Sequence, residues 1–492
     1  MSSASLTSYE HRWWTLSVLS ITQLMVALDA TVINIALPHA QSDLHFSSAN
    51  RQWVITAYAL AFGSLLLLGG RLSDLWGRRR ALYIGLAGFA VASAVGGTAR
   101  SFSVLVAARA VQGAFGALLA PAALAALTTT FAEPRERARA FSIYGTIGGS
   151  GAAIGLLLGG ALTQWATWRW CLFINLVFAG VAILGVVFFV AGGKGEHHTH
   201  LDVPGVLLGS GGLFFVVYGF GHAVTTSWSN PLTWASLAVG GLLLSAFARW
   251  QQRTSHPLLP MRLLINRIRG GSLLALFVTS LAIFGVSLFL AYYLQGTLGY
   301  SPLRTGVAFL PLVAAIALSA FVASARLLAM TGPRPLVPTG MLLAMMGMVL
   351  FTKLTPGANY FESVLPGLIV TGLGLGLIFA PAVASATSGI HAADAGAASA
   401  LVNTTQQVGG SMGVALLNTI AVSVTARTEH ALTGWTGHPP ALLHPLLVAA
   451  TLHGYAVAFW WAAGFFGVGA VITFILLESG VPEGEGAFVA PL

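Results

Sequence analysis

The sequence predicts an all-α integral membrane protein, and three observations lead there. The chain has 492 residues, 56% hydrophobic and only 8% charged. Soluble domains carry roughly 25% charged residues, so this chain has too few to cover a water-facing surface. Its apolar residues gather into fourteen stretches, each near the ~20 residues a membrane helix needs. Its lysines and arginines fall in the short segments between those stretches, mostly on alternate sides.

In chain order the stretches cover 13–37, 53–70, 81–98, 102–130, 138–164, 170–191, 203–222, 231–248, 270–295, 305–328, 336–351, 363–388, 396–425 and 451–477. The first is too long for a signal-peptide core and is expected to stay as an uncleaved span. With the N-terminus placed inside, the inside segments hold sixteen Lys and Arg and the outside segments six. That is the bias of the positive-inside rule. Losing one span would reverse every later loop, so both termini are expected to be cytoplasmic, in the cell inner (plasma) membrane. The net charge of +9 does not suggest nucleic acid, because the bases sit between apolar runs. The single cysteine, Cys171, excludes an internal disulfide.

The chain also echoes itself. "GALLAPA" (116–122) returns as "GLIFAPA" (376–382), an offset of 260. "IGGS" (147–150) returns as "VGGS" (408–411), an offset of 261. The pattern Arg71-x5-Gly77-x-Arg79 returns as Arg326-x5-Gly332-x-Arg334, an offset of 255. These echoes divide the chain into a six-span bundle at 1–192, two extra spans with linkers at 193–264, a second six-span bundle at 265–480 and a short tail at 481–492. An even number of inserted spans keeps the halves parallel, as in transporters built from paired repeats, where cargo binds between the halves near mid-membrane.

Six motifs resemble the major facilitator superfamily, in particular its fourteen-span drug:proton antiporters. "LDATVINIALP" (28–38) is similar to the first-span signature, and "GGRLSDLWGRRR" (69–80) to the loop between spans two and three. "RAVQGAFGALLAP" (109–121) resembles the fourth-span motif and "GSGAAIGLLLGGAL" (149–162) the fifth-span antiporter motif. "WRWCLFIN" (168–175) and "NTTQQVGGSMGVALL" (403–417) are also similar. The resemblance covers about residues 13 to 425. It implies the major facilitator fold and proton-coupled export of hydrophobic or amphipathic small molecules by alternating access. Two positions depart from the pattern. Leu156 follows Gly155 where proline is usual, and Val177 follows Leu176 near the "WRW…IN" asparagine. The first leaves the mode of coupling open.

Asp29 is the one acid and Arg109 the one base placed deep within a span. An ionised group in hydrocarbon is costly, so such residues usually face a partner or a polar path. Asp29 lies eight residues before the outer end of its span, and Arg109 seven after the outer start of its own. At 1.5 Å per residue both sit roughly 10–12 Å deep. They are the candidate proton-coupling pair; a static pair that merely orders the helices is the alternative. Asn34 and Gln112 are candidates for the cargo cavity. So are Ser399, Asn403 and Gln406, whose spacing puts a polar stripe on one face of span thirteen; a hydrogen-bonded seam between helices is the alternative. Gly70, Asp74, Gly77 and Arg78 form a tight loop that, by resemblance, latches one state; a topology signal is the alternative. Gly151, Gly155 and Gly159 recur every four residues. They therefore share a face suited to close packing, fixed or sliding.

Other signals carry less. "HHTH" (197–200) has no second ligand cluster, so no metal is expected. Gly372, Gly374 and Gly376 follow no strand, and no Walker motif is present, so no cofactor is expected either. A membrane enzyme would need a cluster of reactive groups at one depth, which Asp29 and Arg109 alone do not supply. Uptake or facilitated flux of a metabolite or lipid is the other transport reading. The expected partners are a small-molecule cargo, protons and the bilayer, with the chain acting as a monomer.

Overall fold

The computed structural model describes residues 12–131, 133–190, 202–226, 228–254, 257–259, 266–323, 327–387, 395–433 and 440–477. Among them every regular element is helical. The first six long helices are α1 (Arg12–Leu44), α2 (Gln52–Trp76), α3 (Arg78–Gly97), α4 (Phe102–Thr130), α5 (Pro134–Trp165) and α6 (Trp170–Phe189). Then come α7 (Val203–Thr225) and α8 (Pro231–Gln251). The remainder are α9 (Arg267–Thr297), α10 (Pro302–Val322), α11 (Pro333–Phe351), α12 (Tyr360–Thr387), α13 (Ala395–Thr433) and α14 (Pro440–Leu476). Twelve helices among the described residues are long and apolar enough to cross a membrane; α2 and α5 contribute the shorter apolar stretches Gln52–Leu66 and Ala153–Trp165. The expected linker "HHTH" and the tail at 481–492 lie outside the described residues.

The helix starts are written locally. The side chains of Ser101, Asp202, Asn230, Asn266 and Ser301 each accept a hydrogen bond from a backbone N–H in the following first turn. That satisfies one of the donors a helix start leaves free. Within spans, Pro121 of α4 and Pro381 of α12 occupy positions 260 apart. Gly77 and Gly332 end one helix and begin the next, with φ of 84° and 71°. Only glycine takes that conformation without strain.

Helix packing falls into two sets of like pairings. In the first set α1 packs on α4, α5 and α6, α2 on α4, and α3 on α4 and α6. In the second set α9 packs on α12, α13 and α14, α10 on α12, and α11 on α12 and α14. Each pair of the first set recurs eight helices later. The two sets meet along two seams, α2 on α13 and α5 on α10. The pair α7–α8 joins at the first seam, where α7 touches both α2 and α13.

Glycines set the closest approaches. A Cβ on Gly151, Gly155 or Gly159 of α5 would meet Ala27, Thr31 or Val32 of α1 at 2.6, 2.0 and 3.0 Å. These α1 residues flank Asp29, so the shared glycine face packs against the helix that carries the buried acid. In the second set, Gly409 and Gly413 of α13 press on Phe277 and Leu281 of α9 in the same way.

Candidate functional site

Five helices of the first set converge on one carboxylate. Asp29 on α1 is 2% exposed and Arg109 on α4 is 1% exposed. Arg109 Nη1 lies 2.6 Å from Asp29 Oδ2. Gln112 Nε2 and Asn175 Nδ2 donate to Asp29 Oδ1 at 2.9 and 2.7 Å. Both carboxylate oxygens are therefore held by donors from α4 and α6.

The partners hold one another. Arg109 also donates to Gln112 Oε1 at 2.9 Å and to the Val54 carbonyl of α2 at 3.2 Å. Its guanidinium stacks 4.4 Å above the Tyr58 ring. Ser93 of α3 accepts from Gln112 at 2.6 Å. Gln112, Asn175 and Ser93 are all fully buried. Two polar atoms in this group, Tyr58 Oη and Asn175 Oδ1, have no hydrogen-bond partner.

Helical spacing explains part of the assembly. Arg109 and Gln112 are three apart, so they share one face of α4. Asp29 reaches them because α1 packs against α4. Buried charge is costly unless paired and hydrogen-bonded, and here the acid has three donors. The cluster can hold a carboxylate in its charged form. The site thus ties α1, α2, α4 and α6 together through one buried carboxylate–guanidinium pair.

The matched depth of Asp29 and Arg109 corresponds to direct contact. Gln112, expected at an open cavity, is instead fully enclosed beside the acid. Asn34 lies half-exposed on α1, and Asn403 and Gln406 lie half-exposed on α13. On that helix Leu401 and Thr404, with Ser64, Ser210 and Phe247, line a cavity of about 170 Å³ between α2, α7, α8 and α13. Ser399 falls within α13 and Asp74 within α2; their side chains lie outside the described residues. Arg78 opens α3 immediately after the Gly77 turn. Gly70 lies beside Pro121 of α4, 3.7 Å from where its Cβ would be.

Asn175 enters the sequence only as the last residue of the "WRWCLFIN" motif and not as a site residue, and Ser93 and Tyr58 do not stand out at all. Asn175 left a signal, a lone amide in the highly apolar stretch of α6, whose span has a mean hydropathy of 2.7. Ser93 and Tyr58 left none, since serine and tyrosine are ordinary in spans. No group of three or more His, Cys, Asp or Glu suited to a metal occurs among the described residues.

The chain as a whole is similar to known proteins. The family profile described as the Major Facilitator Superfamily matches residues 19–414. The puromycin resistance protein pur8 of Streptomyces alboniger is 48% identical over 95% of this chain and 92% of its own. The cephamycin export protein CmcT of Amycolatopsis lactamdurans is 36% identical over 84% of this chain and 86% of its own. Among solved structures, a bacterial homolog of the human lysosomal transporter Spinster, in an inward-facing state, aligns over 95% of this chain and 97% of its own. Its TM-score is 0.65, at 17% identity.

Proposed function

We propose, because this chain belongs to the Major Facilitator Superfamily, that it is a proton-coupled antiporter which exports hydrophobic or amphipathic antibiotics by alternating access. The names of its relatives point to transport rather than catalysis and favour export over uptake. Within the superfamily we assign it to the fourteen-span drug:proton antiporters, with α2 and α5 counted as spans. On that reading residues 1–192 and 265–480 form the two bundles and 193–264 carry the extra pair. Both termini lie in the cytoplasm, and the monomer is the working unit.

One observation supports proton coupling above the rest: a carboxylate sealed inside the first bundle, held by Arg109, Gln112 and Asn175. When Asp29 takes a proton from outside, Arg109 loses its counter-charge. The contacts of α4 with α1 and α2 then change, and the bundle favours its other orientation. Cargo enters between the halves, along a path lined by Asn34, Ser399, Asn403 and Gln406, with Gln112 reading the state of Asp29. The loop of Gly70, Asp74, Gly77 and Arg78 holds one state, and the Gly151, Gly155 and Gly159 face lets α5 slide on α1.

The test is direct. Everted vesicles from cells expressing the protein are acidified inside and given puromycin while a pH-sensitive dye follows the gradient. Wild type should let protons out when drug is added and should raise resistance in a sensitive host. Asp29→Asn should do neither. Drug-driven proton movement retained by that variant would overturn the coupling role.

A further inference from the structure

Arg51 reads in sequence as one of six outside loop charges, yet it is only 3% exposed. It belongs to the first helix set, at the N-cap of α2, and its side chain is inserted into the second set. Its Nε donates to Asn418 of α13 at 3.0 Å and its Nη1 to the Tyr455 hydroxyl of α14 at 3.4 Å. The guanidinium carbon sits 4.3 Å from the Tyr292 ring centroid, 5.6 Å from Phe289 and 5.8 Å from Tyr455. No carboxylate pairs with it in any described ion pair. Asn418 in turn donates to the Ser48 carbonyl at 3.2 Å, and Tyr292 to Gln41. The 48–52 turn is thus keyed into a cage made by the other half.

Among the described residues, the other inter-half bonds near this end join neutral groups, Asn418 also donating to Gln52 and His39 bonding to Gln295. Gln295 donates to the Ile35 carbonyl and Leu303 N–H to Gln164. Arg51 is the charged group among them. A guanidinium held by neutral acceptors and aromatic faces is fixed less firmly than one in a buried ion pair. It can withdraw into water, where hydration replaces what it loses.

We propose that Arg51 is the gate latch of the 45–51 end: caged, it holds the halves closed there, and its withdrawal lets them part once per cycle. The latch rests on the alternating-access reading above but on neither protons nor cargo. Its test uses nitroxide labels on Thr167→Cys and Lys353→Cys, both exposed at this end in opposite halves, with the buried Cys171 replaced by alanine. Pulsed spin-resonance distances are read in nanodiscs without drug.

Arg51→Ala should add a longer distance and raise the open-to-closed ratio roughly 10- to 100-fold, the worth of a lost charged hydrogen bond. Arg51→Lys should shift it less, since the ammonium keeps the ring contacts. Tyr292→Leu, cut from the cage side, should shift it in the same direction. Gly160→Trp is the opening control, because a Cβ there would already meet Leu303 Cα at 2.6 Å. If that control opens the end and both Arg51→Ala and Tyr292→Leu leave distances unchanged, the latch is refuted. If the control itself yields no longer distance, the two-state reading fails instead.

Discussion

The two helix sets pair their helices alike and differ in chemistry. In the first, α4 carries Arg109 and Gln112, both buried against Asp29. In the second, the positions 260 further on are Ile369 and Gly372 of α12. Ile369 is 39% exposed, and Gly372 touches the Leu312 carbonyl and Ala315 of α10. The second set therefore reaches the same packing with an aliphatic side chain and a close glycine contact. It acts as an internal control: this arrangement of six helices does not require an embedded ion pair in order to assemble. A charge pair that the fold does not demand, and that costs desolvation to bury, is what the proposed coupling role calls for.

The largest effects should come from making the first set resemble the second. Asp29→Asn leaves Arg109 buried without its counter-charge and should cost about 3–5 kcal/mol of stability, along with export. Asp29→Leu combined with Arg109→Ile removes both charges. Replacing a buried pair with apolar side chains is often neutral or stabilising. The double variant should thus melt above Asp29→Asn in detergent, short of wild type only by the bonds that Gln112, Asn175 and the Val54 carbonyl lose, while giving no drug resistance. A double variant that exports normally would break the comparison. One that melts as low as Asp29→Asn would show that the pair serves the fold after all.

Much of this was legible beforehand because a membrane makes sequence unusually explicit. Apolar length gives the spans, and a charge inside a span is rare enough to mark itself, as Asp29 and Arg109 do. Depth counted along each helix brought those two to one level, where the structure places them in contact. Rotation about the helix axis was harder to read. Which neighbours the Gln112 side chain meets depends on how α3 and α6 close around α4, and spacing within α4 does not encode that. Arg51 shows the opposite failure. Its neighbours in sequence are polar, and only the approach of α9, α13 and α14 from the other half buries it. Asn175 stands out as a polar outlier in α6, but its partner Asp29 lies 146 residues away in sequence, and only the packing of α1 on α6 brings the two together.

A second, smaller contrast lies at the glycine seams. Both α5 on α1 and α13 on α9 approach through glycine, but the obstacles differ. A Cβ at Gly155 would meet the Thr31 hydroxyl at 2.0 Å, whereas one at Gly413 would meet the Leu281 carbonyl at 1.8 Å. A side chain can rotate and a main-chain carbonyl cannot. Gly413→Ala should therefore cost more than Gly155→Ala, within the ~1–3 kcal/mol typical of overpacking. Thermal unfolding of the two purified variants checks the order. Equal losses would mean that the two seams are equally rigid and would remove support for a sliding α5.

The finest difference rests on Asn175. Its amide donates to Asp29 Oδ1 at 2.7 Å, while its own carbonyl oxygen is buried without a partner. Asn175→Leu deletes a donor to the carboxylate and the orphaned acceptor together, so the two changes partly offset in stability. A net hydrogen bond to a charged group is worth about 1.5–3 kcal/mol and an unsatisfied buried acceptor costs about 1–3 kcal/mol; the melting point should move little. Transport should respond more, because the carboxylate is left with Arg109 and Gln112 alone and is no longer tied to α6. Drug-driven proton release in everted vesicles should fall several-fold while the protein remains folded and inserted. If instead release is untouched and only the melting point changes, Asn175 is part of the scaffold, and the coupling site shrinks to the helices α1 and α4.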